Sequence, residues 1–207
     1  MHYDFATLDA QVANRLMTSV VTPRPIAWIV SQDREGRRNA APFSFFNVLS
    51  SWPPILAVGI QSRPDGTSKD SRANIEAVGE FVVNLVPFAL ADAMNATSAP
   101  LSPEADEIDI AGLKTMPSVH VAPPRLAGSP AAFECRLRQI MPVLPDRAIL
   151  FGDVLALHVE DDAVIDATSG KIDGAKLDLI ARMHGADAYL RATDICRLAR
   201  PSRENAK

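Results

Sequence analysis

Few of the features that usually announce a function are present in this chain. Its 207 residues include two cysteines, four histidines and ten glycines, and aromatic residues make up only 6%. Cys135 and Cys196 lie far apart and form no CxxC, so two reduced thiols are expected rather than a disulfide framework or a zinc site. His2, His120, His158 and His184 show neither HxH nor HxxxH spacing, which removes the common metal-binding patterns. The glycines form neither GxGxxG nor a P-loop, closing the two common glycine-loop routes to a nucleotide. A GxSxG nucleophile elbow is also missing. No window approaches 18 uninterrupted apolar residues, and residues 1–9 lack the basic start and apolar core of a signal peptide. A cytoplasmic protein with no membrane contact is therefore expected. With 21 basic against 25 acidic side chains the formal charge is −4, so no overall cationic field exists to hold nucleic acid. Any anion site must be local.

The 47% of apolar residues are enough for one sizeable core, and a single domain over 1–207 is expected. Residues 10–18 place Val12, Leu16 and Met17 on one helical face. The runs 26–30, 55–60 and 81–86 are short, apolar and rich in branched residues, which predicts strands. Between them the stretch 64–79 predicts a turn and a two-turn helix, with Ser68, Asp70 and Ser71 as candidate N-caps and Gly79 as its stop. Residues 88–96 look helical. The segment 97–130 carries six prolines and an acidic cluster at Glu104, Asp106, Glu107 and Asp109. Its apolar content marks it as an irregular excursion packed on the domain or on a neighbouring subunit. Two further strands, 133–140 and 148–159, follow, the second with a bulge expected at Gly152. Residues 177–183 predict a helix, which opens a C-terminal helix and tail over 177–207. Many short strands with few short helices indicate a mainly β fold, a barrel with short helical insertions.

Four segments have the makings of a ligand site. In Thr22-Pro-Arg-Pro-Ile-Ala-Trp-Ile-Val-Ser31 the backbone around Arg24 is stiffened by proline on both sides, which suits a preorganised contact as well as a purely structural strand entry. The following Asn39-Ala-Ala-Pro-Phe-Ser-Phe-Phe-Asn47 reads as a polar-aromatic loop. Ser44 and Asn47 interrupt its phenylalanines with groups that a dry core would not favour, and Asn47 offers the donor and acceptor that a flavin's pyrimidine edge requires. Gln61-Ser62-Arg63 ends a strand and Ser68-Lys69-Asp70-Ser71 opens a helix. Hydroxyls, two cations and free helix N–H groups can therefore converge on one anion, although a charged turn before a helix is ordinarily just a solvated, capped start.

In this order the segments TPRPIAWIVS (22–31), NAAPFSFFN (39–47), SKDSRANI (68–75) and FVVNLV (81–86) resemble the flavin reductase-like family with the FMN-binding split-barrel fold. The resemblance continues through DEIDIAGL (106–113), PPRLAGSPAAFECRL (123–137), FGDVLALHV (151–159) and ARMHGADAY (181–189). It implies a homodimer of a six-stranded antiparallel split β-barrel with FMN near the subunit interface. It further implies that Arg24, Pro25, Ile26 and Ala27 back the isoalloxazine, that Ser44, Phe45, Phe46 and Asn47 border the ring and ribityl chain, and that Gln61, Ser62, Arg63, Lys69, Asp70 and Ser71 surround the phosphate. Similar members carry a glycine pair where this chain has His184-Gly185. His184 is thus either a catalytic contact to flavin or nicotinamide, or a surface helix terminus. The activity implied is an NADH- or NADPH-dependent FMN oxidoreductase serving a flavin-using partner enzyme. A non-enzymatic FMN electron carrier and a flavin enzyme acting directly on a small organic substrate are the alternatives.

Overall fold

The structure, a computed structural model, describes residues 1–63, 65–102 and 105–199. Pro64, Glu104 of the acidic cluster and the tail from 200 onward lie outside the described residues.

Asp9 starts helix α1 (Ala10–Val20) by accepting the N–H groups of Gln11 and Val12 at 2.8 and 2.9 Å, satisfying two of the donors that a helix start leaves unpaired. The chain then builds β1 (Ala27–Gln32), β2 (Arg38–Phe43), β3 (Phe46–Ser51) and β4 (Pro54–Gln61). Helix α2 (Asp70–Val78) stops at Gly79, whose φ of 80° is the left-handed geometry that glycine adopts without a Cβ clash. Strand β5 (Glu80–Asn84) follows, then a short 3-10 turn at Phe88–Leu90 and α3 (Ala91–Ala96). The proline-rich excursion folds as α4 (Glu107–Ile110) with the small hairpin β6 (Thr115–Met116) and β7 (Arg125–Leu126). The long strands β8 (Ala131–Leu144) and β9 (Arg147–Val159) come next, and two short hairpins close the chain: β10 (Val164–Asp166) with β11 (Lys171–Ile172), and β12 (Ile180–Arg182) with β13 (Tyr189–Arg191). Among the described residues no helix is long and apolar enough to cross a membrane.

The main sheet has seven strands in the order β2-β1-β5-β8-β9-β4-β3, every pair antiparallel. This corrects the expected six-stranded split barrel: the sheet has seven strands and does not close. The stretch 39–47, expected as a loop, supplies two strands instead, and they are the two sheet edges. Pro42 is tolerated because β2 is an edge strand with no further neighbour to bond. Only Ser44 and Phe45 separate β2 from β3, so the sheet curls until its edges are nearly joined, yet no ladder runs between them. Side chains alternate across this curled sheet. One face packs Ile29, Phe81, Val83, Leu56, Val58, Ile60 and Leu150 into an inner core. The other packs Trp28, Val30, Val82 and Ala132 beneath Met94 of α3 and Ile108 of α4.

Two more expectations are corrected. Residues 177–183 form no helix: Asp178 takes a φ of 47°, which breaks a helical run, and Ile180–Arg182 pairs in register with Tyr189–Arg191. Gly152 is not the inserted residue of a bulge. Leu137 faces Gly152 and Gln139 faces Phe151, so the extra residue is Arg138 on β8.

Candidate functional site

The break between β2 and β3 opens a cleft. Its broader part, about 660 Å³, lies between α1 and the β2–β3 link, walled by Ala13, Asn14 and Met17 on one side and Pro25, Phe45 and Asn47 on the other. Gln61 lies at its inner end and is shared with a polar cavity of about 310 Å³ at the start of α2. A smaller hollow of about 280 Å³ joins the two, lined by Pro42, Phe43, Ser44 and Phe45 together with Arg24, Lys69 and Arg182. Phe45 can lie against β4 there because Gly59 presents no side chain: a Cβ at 59 would stand 3.1 Å from the Phe45 Cβ. The Gly59 N–H also donates to the Phe45 carbonyl at 2.7 Å, pinning the link to β4.

Arg24 is buried and its guanidinium is fully engaged. Nη1 donates to the carbonyls of Thr18 and Val21, both at 2.7 Å, Nη2 to Met183 at 3.1 Å, and Nε reaches Ser44 Oγ at 3.5 Å. One side chain thereby ties the end of α1, the β12–β13 turn and the β2–β3 link. Burial, and then the neighbouring Arg182 charge, lower its pKa. Pro25 reaches the cleft wall, whereas Ile26 and Ala27 are closed off at 4% and 0% exposure and support the wall from behind. Phe45 is exposed and Phe46 buried; Asn47 lines the cleft, its amide oxygen accepts the N–H of Val48 at 2.8 Å, and its amide nitrogen has no protein acceptor among the described residues.

Gln61, Ser62, Arg63, Lys69, Asp70 and Ser71 all line the polar cavity, but they do different things. Arg63 pairs with Asp70 and donates to the Ser68 carbonyl at 2.6 Å. Ser71 is buried and donates to Asn39 Oδ1 at 2.6 Å. The N-cap of α2 is Lys69, not Ser68, Asp70 or Ser71, and no side chain caps the helix. Lys69 has no carboxylate partner among the described residues; its ammonium sits 5.3 Å from the centre of the Phe43 ring. Burial first, then Arg63, lowers its pKa. A half-buried cation without a counter-ion, beside uncapped helix N–H groups, is suited to an incoming anion.

His184 stands apart. It lies exposed in the turn between β12 and β13, at no helix terminus, and the cleft is lined by its neighbour Gly185 instead.

Several lining residues carry no local signal in the sequence. Asn14 and Thr18 reach the cleft because α1 folds back over it, and Arg182 because the β12 backbone bridges to Arg24. Glu107 is another: buried, it accepts Asn39 Nδ2 at 2.9 Å and the Ala40 N–H at 3.1 Å, fixing the Asn39 that receives Ser71. Burial is the main reason its pKa is raised, with Asp70 adding to it. Among the described residues no cluster can hold a metal ion.

The apolar recess under α1 and the polar cavity at the start of α2, where Lys69 has no carboxylate partner among the described residues, thus meet in one cleft. The model of the flavin reductase like domain matches residues 17–170. An uncharacterised protein of Deinococcus radiodurans is 40% identical over 203 residues, spanning 96% of this chain and 89% of its own length. Nitrilotriacetate monooxygenase component B from Bacillus cereus superposes with a TM-score of 0.89 at 28% identity, covering 96% of this chain and 98% of that one. The 2-nitrobenzoate 2-nitroreductase of Pseudomonas fluorescens does so with a TM-score of 0.89 at 29% identity, covering 98% of both chains. The chain belongs to the flavin reductase-like family.

Proposed function

We propose that the protein is an FMN-dependent oxidoreductase of the cytoplasm, reduced by NADH or NADPH, that works as a homodimer and passes reducing equivalents to a flavin-using partner enzyme. The observation that carries this reading is Lys69, half-buried at the uncapped start of α2 with no carboxylate partner among the described residues, at the polar end of a cleft whose other end is mainly apolar. The chemistry that flavin supplies when bound is hydride acceptance at N5.

The chain's own part is placement. Lys69 and the first N–H groups of α2 hold a phosphate, while the Arg63–Asp70 pair keeps that corner rigid. The loop from Thr97 to Leu101 and Glu107 walls the cavity beyond Lys69, which favours a mononucleotide over a longer dinucleotide. Pro42, Phe43 and Phe45 supply the flat apolar contact, and the free Asn47 amide faces a pyrimidine edge. Arg24, charged but already bonded to carbonyls, contributes a fixed positive potential that favours electron-rich ligand states. No side chain needs to move a proton for hydride delivery, so orientation dominates.

Homodimerisation is supported by α1, which lines the cleft yet has no buried residue and leaves Met17, Val20 and Val21 exposed. The name of the Bacillus cereus relative, one component of a monooxygenase, supports delivery of reduced flavin to a second enzyme.

The test is fluorescence-quenching titration of FMN. Lys69→Ala is expected to weaken FMN binding about tenfold, the loss of one charge-assisted contact, with an unchanged melting temperature. Arg63→Ala is expected to lose both binding and stability, because Arg63 also carries the Asp70 pair. Wild-type protein that fails to take up FMN, or a Lys69→Ala variant with full affinity, overturns the assignment. Anaerobic mixing of the loaded protein with NADH or NADPH then tests the donor by bleaching of the flavin absorbance.

A further inference from the structure

The hollow at the centre of the cleft carries more positive charge than one phosphate requires. Arg24, Lys69 and Arg182 all line it, and no carboxylate does. Lys69 is assigned above. Arg24 is spent on carbonyls. Arg182 is different: its guanidinium lies over the Tyr189 ring at 4.7 Å, and its hydrogen bonds run from Nη2 alone, to the carbonyls of Ala186 and, at 3.5 Å, Gly185. Nε and Nη1 have no protein acceptor and no carboxylate pairs with Arg182 among the described residues; Asp187, in the same turn, is not within ion-pair reach. The same guanidinium borders the adjoining cavity of about 260 Å³, with Ile26, Asn95, Ser98 and Tyr189, where again no acidic side chain is present.

Two neighbouring arginines without a counter-ion among the described residues repel each other; burial is the main cause of the lowered Arg24 pKa, and the Arg182 charge adds to it. Holding them together in a partly buried hollow is costly unless an anion joins them. Stacking on Tyr189 fixes the plane of the Arg182 guanidinium, so its unbonded Nε–H and Nη1–H groups keep set directions in which each can meet an anion oxygen.

We propose that Arg182, oriented by Tyr189, binds the anionic group of the second ligand, the molecule that meets the flavin: either the pyrophosphate of a nicotinamide dinucleotide or the carboxylate of an aromatic acid. The inference rests on the flavin reading above, because it places this ligand beside the Pro42–Phe45 surface.

The experiment uses FMN-loaded wild type, Arg182→Gln and Arg182→Lys. Three probes are compared: NADH; N-benzyl-1,4-dihydronicotinamide, which has the same reacting ring and no phosphate; and benzoate, followed by the flavin difference spectrum. In Arg182→Gln, the concentration for half-maximal reduction by NADH or for half-maximal benzoate binding is expected to rise about tenfold. Arg182→Lys should recover part of the loss. Reaction with the neutral donor should stay within about twofold, as the group it lacks is the one bound. A loss confined to NADH identifies the pyrophosphate, one confined to benzoate identifies the carboxylate, and a loss for both shows that one subsite takes either. Unchanged response to both anions, an equal loss with the neutral donor, or a wild type that responds to neither anion overturns the proposal. FMN affinity measured on the same samples separates the two claims: wild type that takes up no flavin sinks the flavin reading and this inference with it, whereas normal FMN uptake with unaltered anion response sinks the inference alone.

Discussion

A Cβ at position 152 would stand 2.6 Å from Cζ of Phe81 and 3.2 Å from its Cε1. Phe81 is buried in the inner core, so a shift of its ring has to displace packed neighbours. Gly152→Ala is expected to destabilise the protein by about 1–3 kcal/mol, the usual cost of overpacking, and thermal denaturation of that variant beside Gly152→Ala/Phe81→Leu should show partial recovery in the double variant. Glu134 is the other single residue on which much depends. Fully buried, it accepts the N–H groups of Val119 and His120 at 2.7 and 2.6 Å and meets His158 Nε2 at 2.6 Å. Burial opposes its ionisation, but the two N–H donors and His158 outweigh burial and hold its pKa below the ordinary carboxylate value. A depressed folded pKa means stability that is present above the unfolded value near 4.5 and lost as pH falls through the folded one. The melting temperature of Glu134→Gln should therefore lie below that of wild type at neutral pH, and the gap should close as the pH is lowered past the carboxylate range; a gap independent of pH would exclude this origin.

At the scale of elements, Arg24 is the clamp that joins α1, the β12–β13 turn and the β2–β3 link. Arg24→Met strands the carbonyls of Thr18, Val21 and Met183, and because hydrogen bonds to a charged donor are the strong ones, a loss of about 2–3 kcal/mol is expected. A urea titration of flavin-free protein measures it, so that any effect on ligand binding is kept out of the number. This clamp also shows where sequence patterns stop being informative. Helices α1, α2 and α3 and strands β1, β4, β5, β8 and β9 could be read from hydrophobic period and the stop at Gly79, because these are local signals, whereas the N-cap of α2 could not. Strands β2 and β3 could not: Asn39, Pro42 and Asn47 carry turn chemistry, and only their position at the sheet edges makes them tolerable. The run 177–183 has helical composition, but Ile180–Arg182 is captured by tertiary partners, Tyr189–Arg191 and the backbone of Arg24. The same limit applies to the cleft. The segments that form its walls were legible in order, whereas Asn14, Arg182 and Glu107 reach it only through pairings between distant parts of the chain, which no local spacing encodes.

For the whole molecule, the unpartnered surface is the outstanding quantity. Val48, Leu49 and Trp52, on the edge strand β3 and the turn that follows it, are 55%, 58% and 89% exposed, and Met17, Val20 and Val21 of the α1 region lie open as well. An open, apolar sheet edge is a liability in a monomer, and burying it against a second copy removes the liability while covering the outer wall of the cleft. The expected result is a dimer in sedimentation velocity at micromolar concentration and a monomer for Leu49→Glu/Trp52→Glu, with FMN affinity falling in step because the α1 wall loses its support. Tryptophan emission supplies an independent reading. Trp28 is buried and donates from Nε1 to Thr97 Oγ1 at 3.0 Å, so it reports a constant apolar environment, and any red shift seen when the wild type is diluted to monomer must come from Trp52. A wild type that is monomeric at these concentrations and still binds FMN fully would show that one chain completes the cleft by itself, and the exposed edge would then need another explanation.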